Sequence, residues 1–246
     1  MSVEDRKVAL ITGANKGIGL ETARQLGARG ITVLLGVRDL AKGEAAAATL
    51  KKEGIDARAM KLDVDNPADH SAVAQAIEKD FGVLDILVNN AAILMDQRTG
   101  NETSVTSAEM LRKTFDTNFF AVVALTQALL PLLRKSKAGR IVNLSSLLAS
   151  LTLHATKGSP IYDAKTFAYD TSKAALNSFT IHLAHELQET KIKVNSADPG
   201  WVKTEMGGKG ATMEIADGAK TSVRLATLPE DAPTGGYFHL GEKVPW

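Results

Sequence analysis

The sequence predicts an α/β fold in three layers, a doubly wound parallel sheet with helices on both faces. Three observations lead there. Short β-branched or apolar runs alternate with longer segments of helical period; the runs are apolar almost throughout, as strands covered on both faces are; and the first run passes directly into a glycine-rich loop. No Pro/Ser-rich or low-complexity tract divides the 246 residues, and 44% hydrophobic with 23% charged residues is an ordinary globular composition. Residues 1–246 are therefore read as one domain.

Taken in order, KVALIT (residues 7–12) is the first strand and residues 17–29 the first helix. TVLLGV (32–37) is the second strand, followed by a helix over 39–53 that stops at Gly54. ARAMKL (57–62) precedes a helix over 67–81 with Pro67 at its start and Gly82 after its end. LDILVN (84–89), RIVNLS (140–145) and IKVNSA (192–197) are the remaining strands. Between them FFAVVALTQALLPLL (119–133) is interrupted by Thr126, Gln127 and Pro131, which makes it too short and too polar for a membrane span. It reads as a buried helix. In such a sheet ligands bind beyond the carboxyl ends of the strands, where the strand order reverses, so the loops after strands are where chemistry is sought.

The loop after the first strand reads TGANKGIG, from Thr12 to Gly19. Gly13, Gly17 and Gly19 permit a tight turn, close approach of backbone to a pyrophosphate and close helix packing, and around them Asn15, Lys16 and Ile18 open the helix whose free N–H groups meet the anion. Between a strand and a helix this loop predicts a Rossmann-type dinucleotide site. An acidic residue near the end of the second strand would accept bonds from the ribose hydroxyls of NAD. Here that position is Val37, followed by Arg38. Asp39 is read as the cap of the next helix, with a ribose acceptor as the alternative. Lys16 and Arg38 together suit a 2′-phosphate, and two bonds to charged groups at ~1.5–3 kcal/mol each favour NADP over NAD by about two to four powers of ten. The plain alternative for either cation is a solvated surface charge.

FAYDTSKAAL (167–176) places Tyr169 and Lys173 four apart where a loop becomes a helix, so they share one face. Composition alone gives roughly 0.2 such pairs by chance. A phenol has a reference pKa near ~10, and a neighbouring ammonium favours its anion. Asn118 falls on the apolar stripe of Leu111, Phe115, Val122, Leu125 and Leu129; a buried amide there must be bonded.

These features resemble the short-chain dehydrogenase/reductase family. The resemblance spans nearly the whole chain: TGANKGIG, LDV (62–64), NNAA (89–92), Asn118, VNLSS (142–146), YDTSK and DPGWVKT (198–204) stand in family order. NKGIG, Arg38–Asp39 and the long segment before Tyr169 resemble the NADPH-using, carbonyl-reductase-like branch in particular. The resemblance implies that Tyr169 is the general acid toward a carbonyl oxygen, that Lys173 tunes it and bonds the nicotinamide ribose, and that Ser146, chosen over Ser145 by its place in VNLSS, holds the substrate oxygen. It gives Asn118 a water relay to Lys173, beside the plainer reading of a helix-bend residue bonded to backbone. It sets Asp63 and Val64 beside adenine, Asn90 at the cofactor ribose, and Pro199, Gly200, Val202 and Thr204 at the nicotinamide end. The implied activity is NADPH-dependent reduction of an aldehyde, ketone or quinone; a 3-oxoacyl or sugar-alcohol oxidoreductase and a non-catalytic NADP sensor are the alternatives. Two departures accompany it. Ala92 stands where a glycine is expected, and Ser146 and Tyr169 are 23 residues apart, about ten more than the family pattern. The insertion leaves homo-oligomerisation open.

The rest of the chain narrows the classes. A net charge of +1 gives no general field for nucleic acid or an anionic membrane. The lack of cysteine excludes disulfides, thiolate zinc sites and a thiol nucleophile. His182 and His185 in IHLAHEL match neither HExxH nor HxxEH, so no metal site is expected. Tyr162 has Thr166 rather than lysine at i+4 and reads as a pocket-wall or loop residue. Leu147, Leu148, Met95, Trp201 and Met206 suggest an apolar substrate pocket, or equally core packing. The start, MSVEDRKVAL, lacks the layout of a signal peptide, which makes a cytoplasmic protein the expectation.

Overall fold

The computed structural model describes residues 6–96 and 102–246, so the acidic start at 1–5 lies outside the described residues. Strands β1 (Val8–Thr12), β2 (Thr32–Val37), β3 (Ala57–Lys61), β4 (Ile86–Asn89), β5 (Arg140–Leu144), β6 (Lys193–Ala197), β7 (Tyr237–His239) and β8 (Glu242–Lys243) form one sheet in the order β3-β2-β1-β4-β5-β6-β7-β8. All neighbours are parallel except the β7–β8 pair. The order reverses between β1 and β4. Their register, Ala9 with Ile86 through Ile11 with Val88, brings Thr12 and Asn90 to one rim.

Each strand feeds two cores because its side chains alternate. Ala9, Ile11, Val33, Leu35, Ile86 and Val88 meet helices α1 (Gly17–Gly27), α2 (Leu40–Lys52) and α9 (Lys220–Ala226). Val8, Leu10, Leu34, Leu87 and Ile141 face the other way, against α3 (Pro67–Phe81), α5 (Ala121–Leu133) and α7 (Phe167–Glu186). The result is the three-layered doubly wound arrangement expected of near-continuous apolar strands.

Local chemistry sets the boundaries. Asp39 caps α2 by accepting from the Lys42 N–H at 3.2 Å, and Asn66 caps α3 ahead of Pro67. Gly82 ends α3 in the left-handed conformation at φ 71°. The predicted strand at 84–89 begins later, at Ile86, because the Leu84 N–H turns to Leu132 O at 3.4 Å. The helix predicted over 119–133 is longer than the apolar run: α4 (Ala108–Phe115) joins α5 through a π turn, Asp116–Phe120. This continuous stretch, Ala108–Leu133, is long and apolar enough to cross a membrane by length and composition. In the fold, Leu125, Leu129, Leu132 and Leu133 are buried in the core beside α3. The inserted segment before α7 holds a short helix α6 (Leu151–Ala155), and another, α8 (Ile215–Gly218), follows the loop after β6.

Candidate active site

The glycine loop leaves the end of β1 at the reversal point. Gly13 adopts φ 65°, which a side chain resists, and its N–H bonds Gly36 O at 2.8 Å. A Cβ on Gly19 would stand 2.5 Å from Asn90 Nδ2 and 2.8 Å from Gly13 O, so only glycine lets α1 come this close. No side chain caps α1. The first N–H groups of the helix, at Gly17, Ile18 and Gly19, have no intrahelical partner and lie at the rim where an anion is bound in such sheets. The cradle fits a pyrophosphate.

The cations are arranged differently from the sequence reading. Lys16 is ion-paired with Glu205, from the loop after β6, instead of standing as a free partner to Arg38. The pair closes across the glycine loop because Thr204 packs beside Gly17. Arg38 is exposed, its guanidinium has no protein partner among the described residues, and its carbonyl accepts from Lys61 Nζ at 2.7 Å. Lys61 therefore adds a cation that the motif reading missed. The Asp39 carboxylate is occupied in capping α2, and that bond holds its pKa below the usual range.

The other candidates divide between side-chain and backbone roles. Asn90 Nδ2 donates to Thr12 O at 2.7 Å, and its N–H reaches Thr12 Oγ1 at 2.9 Å, so this side chain staples β4 to the glycine turn. Asp63 accepts from the Asp65 N–H at 3.2 Å, and the Val64 carbonyl meets His70 Nε2 at 2.8 Å, both on the turn after β3. Pro199 precedes Gly200, whose φ is 77°. Val202 is buried, with its side chain against Gly218, and leaves only its backbone for a ligand; Thr204 Oγ1 accepts from the Gly207 N–H at 3.2 Å. Asn15 is half-buried on the glycine loop.

Beyond β5, Tyr169, Lys173 and Ser146 converge. Lys173 Nζ is 5.8 Å from the Tyr169 ring centre and donates to Leu144 O at 2.7 Å. The Ser146 side chain lies beside the Tyr169 hydroxyl, and its Oγ accepts from the Leu148 N–H at 3.3 Å. Burial governs the electrostatics. It pushes the Tyr169 phenol up, against the lowering effect of Ser146, and the Asp198 and Asp170 carboxylates add to the rise. It lowers Lys173 to about 7. The acidification of the phenol expected from Lys173 is outweighed, because both groups have lost water and the ammonium spends a hydrogen bond on Leu144 O.

Asn118 lies fully buried on the π turn. Its Oδ1 accepts from the Ile93 N–H at 2.9 Å, while Nδ2 donates to Ile93 O at 2.9 Å and Ser172 Oγ at 3.1 Å. Both amide hydrogens are committed, so the side chain acts as a brace between the loop after β4 and α7. One residue absent from the sequence reading completes that brace. Asp96, 2% exposed, accepts from the Ala168 N–H at 2.8 Å and the Tyr169 N–H at 3.2 Å, anchoring the first turn of α7. A carboxylate seventy residues upstream gives no local signal of this.

The expected pocket wall is mixed. Leu147, Leu148 and Met95 are half-buried, whereas Trp201 and Met206 are exposed; Trp201 Nε1 donates to Gly207 O at 2.8 Å. Tyr162 lies in the insertion with Lys165 Nζ 5.2 Å from its ring centre.

A family model described as short chain dehydrogenase matches residues 7–214. Short-chain dehydrogenase/reductase 1 of Saponaria officinalis is 35% identical over 98% of this chain and 96% of its own length. Carbonyl reductase [NADPH] 1 of Mus musculus is 34% identical over 98% of this chain and 99% of its own. The crystal structure of NADPH-bound carbonyl reductase from chicken fatty liver superposes with a TM-score of 0.85 at 26% identity, covering 98% of this chain and 99% of that one.

Proposed function

From the premise that this chain belongs to the short-chain dehydrogenase/reductase family, as an NADP-dependent enzyme of carbonyl reduction, we propose that it reduces an aldehyde, ketone or quinone with Tyr169 as the proton donor. The observation that carries this reading is the convergence of Tyr169, Ser146 and Lys173 beyond β5, beside the reversal point of the sheet. NADPH, when bound, would supply the hydride. The chain supplies the rest. The first turn of α1 would hold the pyrophosphate, and Arg38, whose guanidinium has no protein partner among the described residues, would receive the 2′-phosphate.

Ser146 Oγ, beside the Tyr169 hydroxyl, orients the carbonyl oxygen. Tyr169 gives that oxygen its proton, completing the alcohol. A phenol pushed up by burial is fully protonated before the reaction, as a donor must be. Lys173 stands one turn away to favour the phenolate once the proton has left, and returns it to the protonated state by its own titration near neutrality. Asn118 and Asp96 position these groups by fixing the π turn and the start of α7. Leu147, Leu148 and Met95 form the apolar side of the substrate pocket within this one NADP-binding domain.

The test is NADPH oxidation, followed by its absorbance, across a panel of aldehydes, ketones and quinones with the purified protein. Turnover confined to one carbonyl class identifies the substrate class. NADPH binding without turnover of any member would leave a sensor as the better reading.

A further inference from the structure

Asp198 sits at the exit of β6, 3% exposed, between the two loops that the reaction must hold together. Its Oδ1 accepts from the Leu147 N–H at 2.9 Å, next to Ser146, and from the Gly200 N–H at 3.1 Å. Its Oδ2 meets His239 Nδ1 at 2.9 Å, and the same nitrogen lies 3.2 Å from the Asp198 carbonyl. Tyr237, two residues before His239, donates to the Ser146 carbonyl. A single buried carboxylate thus ties the serine loop, the nicotinamide-side loop and β7, with an imidazole as its counterion.

We propose that Asp198 and His239 are positioning residues for the carbonyl reduction, the carboxylate holding the Ser146 loop, the Gly200 loop and β7 together with the imidazole as its counterion. The Asp198 charge raises Tyr169, and the bond to Asp198 in turn raises His239, so the pair favours a charged imidazole beside a charged carboxylate. The other titratable or charged groups around the pair are Tyr237 on the same strand, Glu242 across the β7–β8 register, Arg224 packed against Gly241, and Lys173 beside Tyr169. As pH rises through the His239 titration the imidazole becomes neutral. The Asp198 charge then lacks its counterion, the tie between the loops and β7 weakens, and kcat/KM falls.

The inference rests on Tyr169 being the donor, and the experiment separates the two. NMR titration of His239 in the ligand-free protein is compared with the pH profile of kcat/KM on the best carbonyl of the panel, which reports groups of the free enzyme. The expected result is a loss of about 3- to 10-fold in kcat/KM with its midpoint at the His239 pKa. His239→Gln should lose this limb and be slow at all pH values; Asp198→Asn keeps an acceptor for both N–H groups, and should lose the limb, return the His239 pKa to the ordinary range, and restore most of the rate in the double variant. NADPH affinity should stay within a few-fold throughout. A limb that persists in both variants, or losses that simply add in the double variant, overturns the proposal. If His239→Gln does not fold, Asp198→Asn and the wild-type titration decide alone. Activity retained by Tyr169→Phe would instead sink the donor reading while leaving the titration of the pair intact.

Discussion

Lys173→Met isolates what the candidate site costs the fold. Methionine fills similar apolar space without the ammonium, whose pKa burial has lowered from 10.5 to about 7. Between these values the unfolded chain binds the proton at Lys173 and the folded chain does not, so the Lys173 contribution to stability rises with pH from about 7 to 10.5 and is flat below. At pH 7 the deficit is about 4 kcal/mol; by pH 10 it shrinks to about 1 kcal/mol. The substitution also orphans Leu144 O, which accepts from Nζ at 2.7 Å, at a cost of ~1–3 kcal/mol. The variant should therefore be about 1–3 kcal/mol more stable than wild type at pH 7 and no more stable, or slightly less so, at pH 10. At roughly 2–4 °C per kcal/mol for a chain of this size the neutral-pH gain is several degrees in Tm. Urea unfolding of both proteins across this pH range measures the difference directly, with the background titrations shared. A stability difference independent of pH would refute the burial argument, and turnover undiminished in the variant would refute the role given to Lys173.

Three further outcomes test other parts of the site. Tyr169→Phe should lower kcat by about two to four powers of ten while NADPH affinity, measured by fluorescence titration, stays within a few-fold; near-normal turnover would remove the proposed acid. Arg38→Asp should weaken NADPH by at least about 10- to 150-fold, the loss of one charge-assisted bond, with little change for NADH. Because the Arg38 side chain is exposed and has no protein partner among the described residues, the stability of the ligand-free protein should move by less than about 0.5 kcal/mol, and equal losses for both cofactors would count against the phosphate reading. Asn118→Ala strips bonds from the Ile93 N–H and carbonyl and should cost about 2–4 kcal/mol, seen as a fall in Tm together with a fall in kcat; an unchanged Tm would mean the brace is not holding the π turn.

Much of the architecture was legible because it is set locally. The helix at 67–81 has its start in Asn66 and Pro67 and its stop in Gly82, and the structure gives the same bounds. The strand at 32–37 is likewise unchanged, being an apolar run between turn residues. The pair β7–β8 was not read, because strands of three and two residues carry no periodicity and exist only through pairing, β7 with β6 and β8 with β7. A buried guanidinium at Arg140, donating to Leu228, Pro229, Gly139 and Lys191 carbonyls, was hidden within an ordinary strand run.

The candidate site divides along the same line. Sequence alone determined the glycine turn, the four-residue step from Tyr169 to Lys173, and the identity of Arg38 at the end of β2, since each depends on neighbours a few residues away. Only the tertiary structure decided that Lys16 is held by Glu205, that Asp96 anchors the tyrosine's helix, that Val202 turns into the core, and that burial rather than the ammonium controls the phenol. Desolvation and long-range bonding are properties of the folded surroundings, which no short stretch of chain carries by itself.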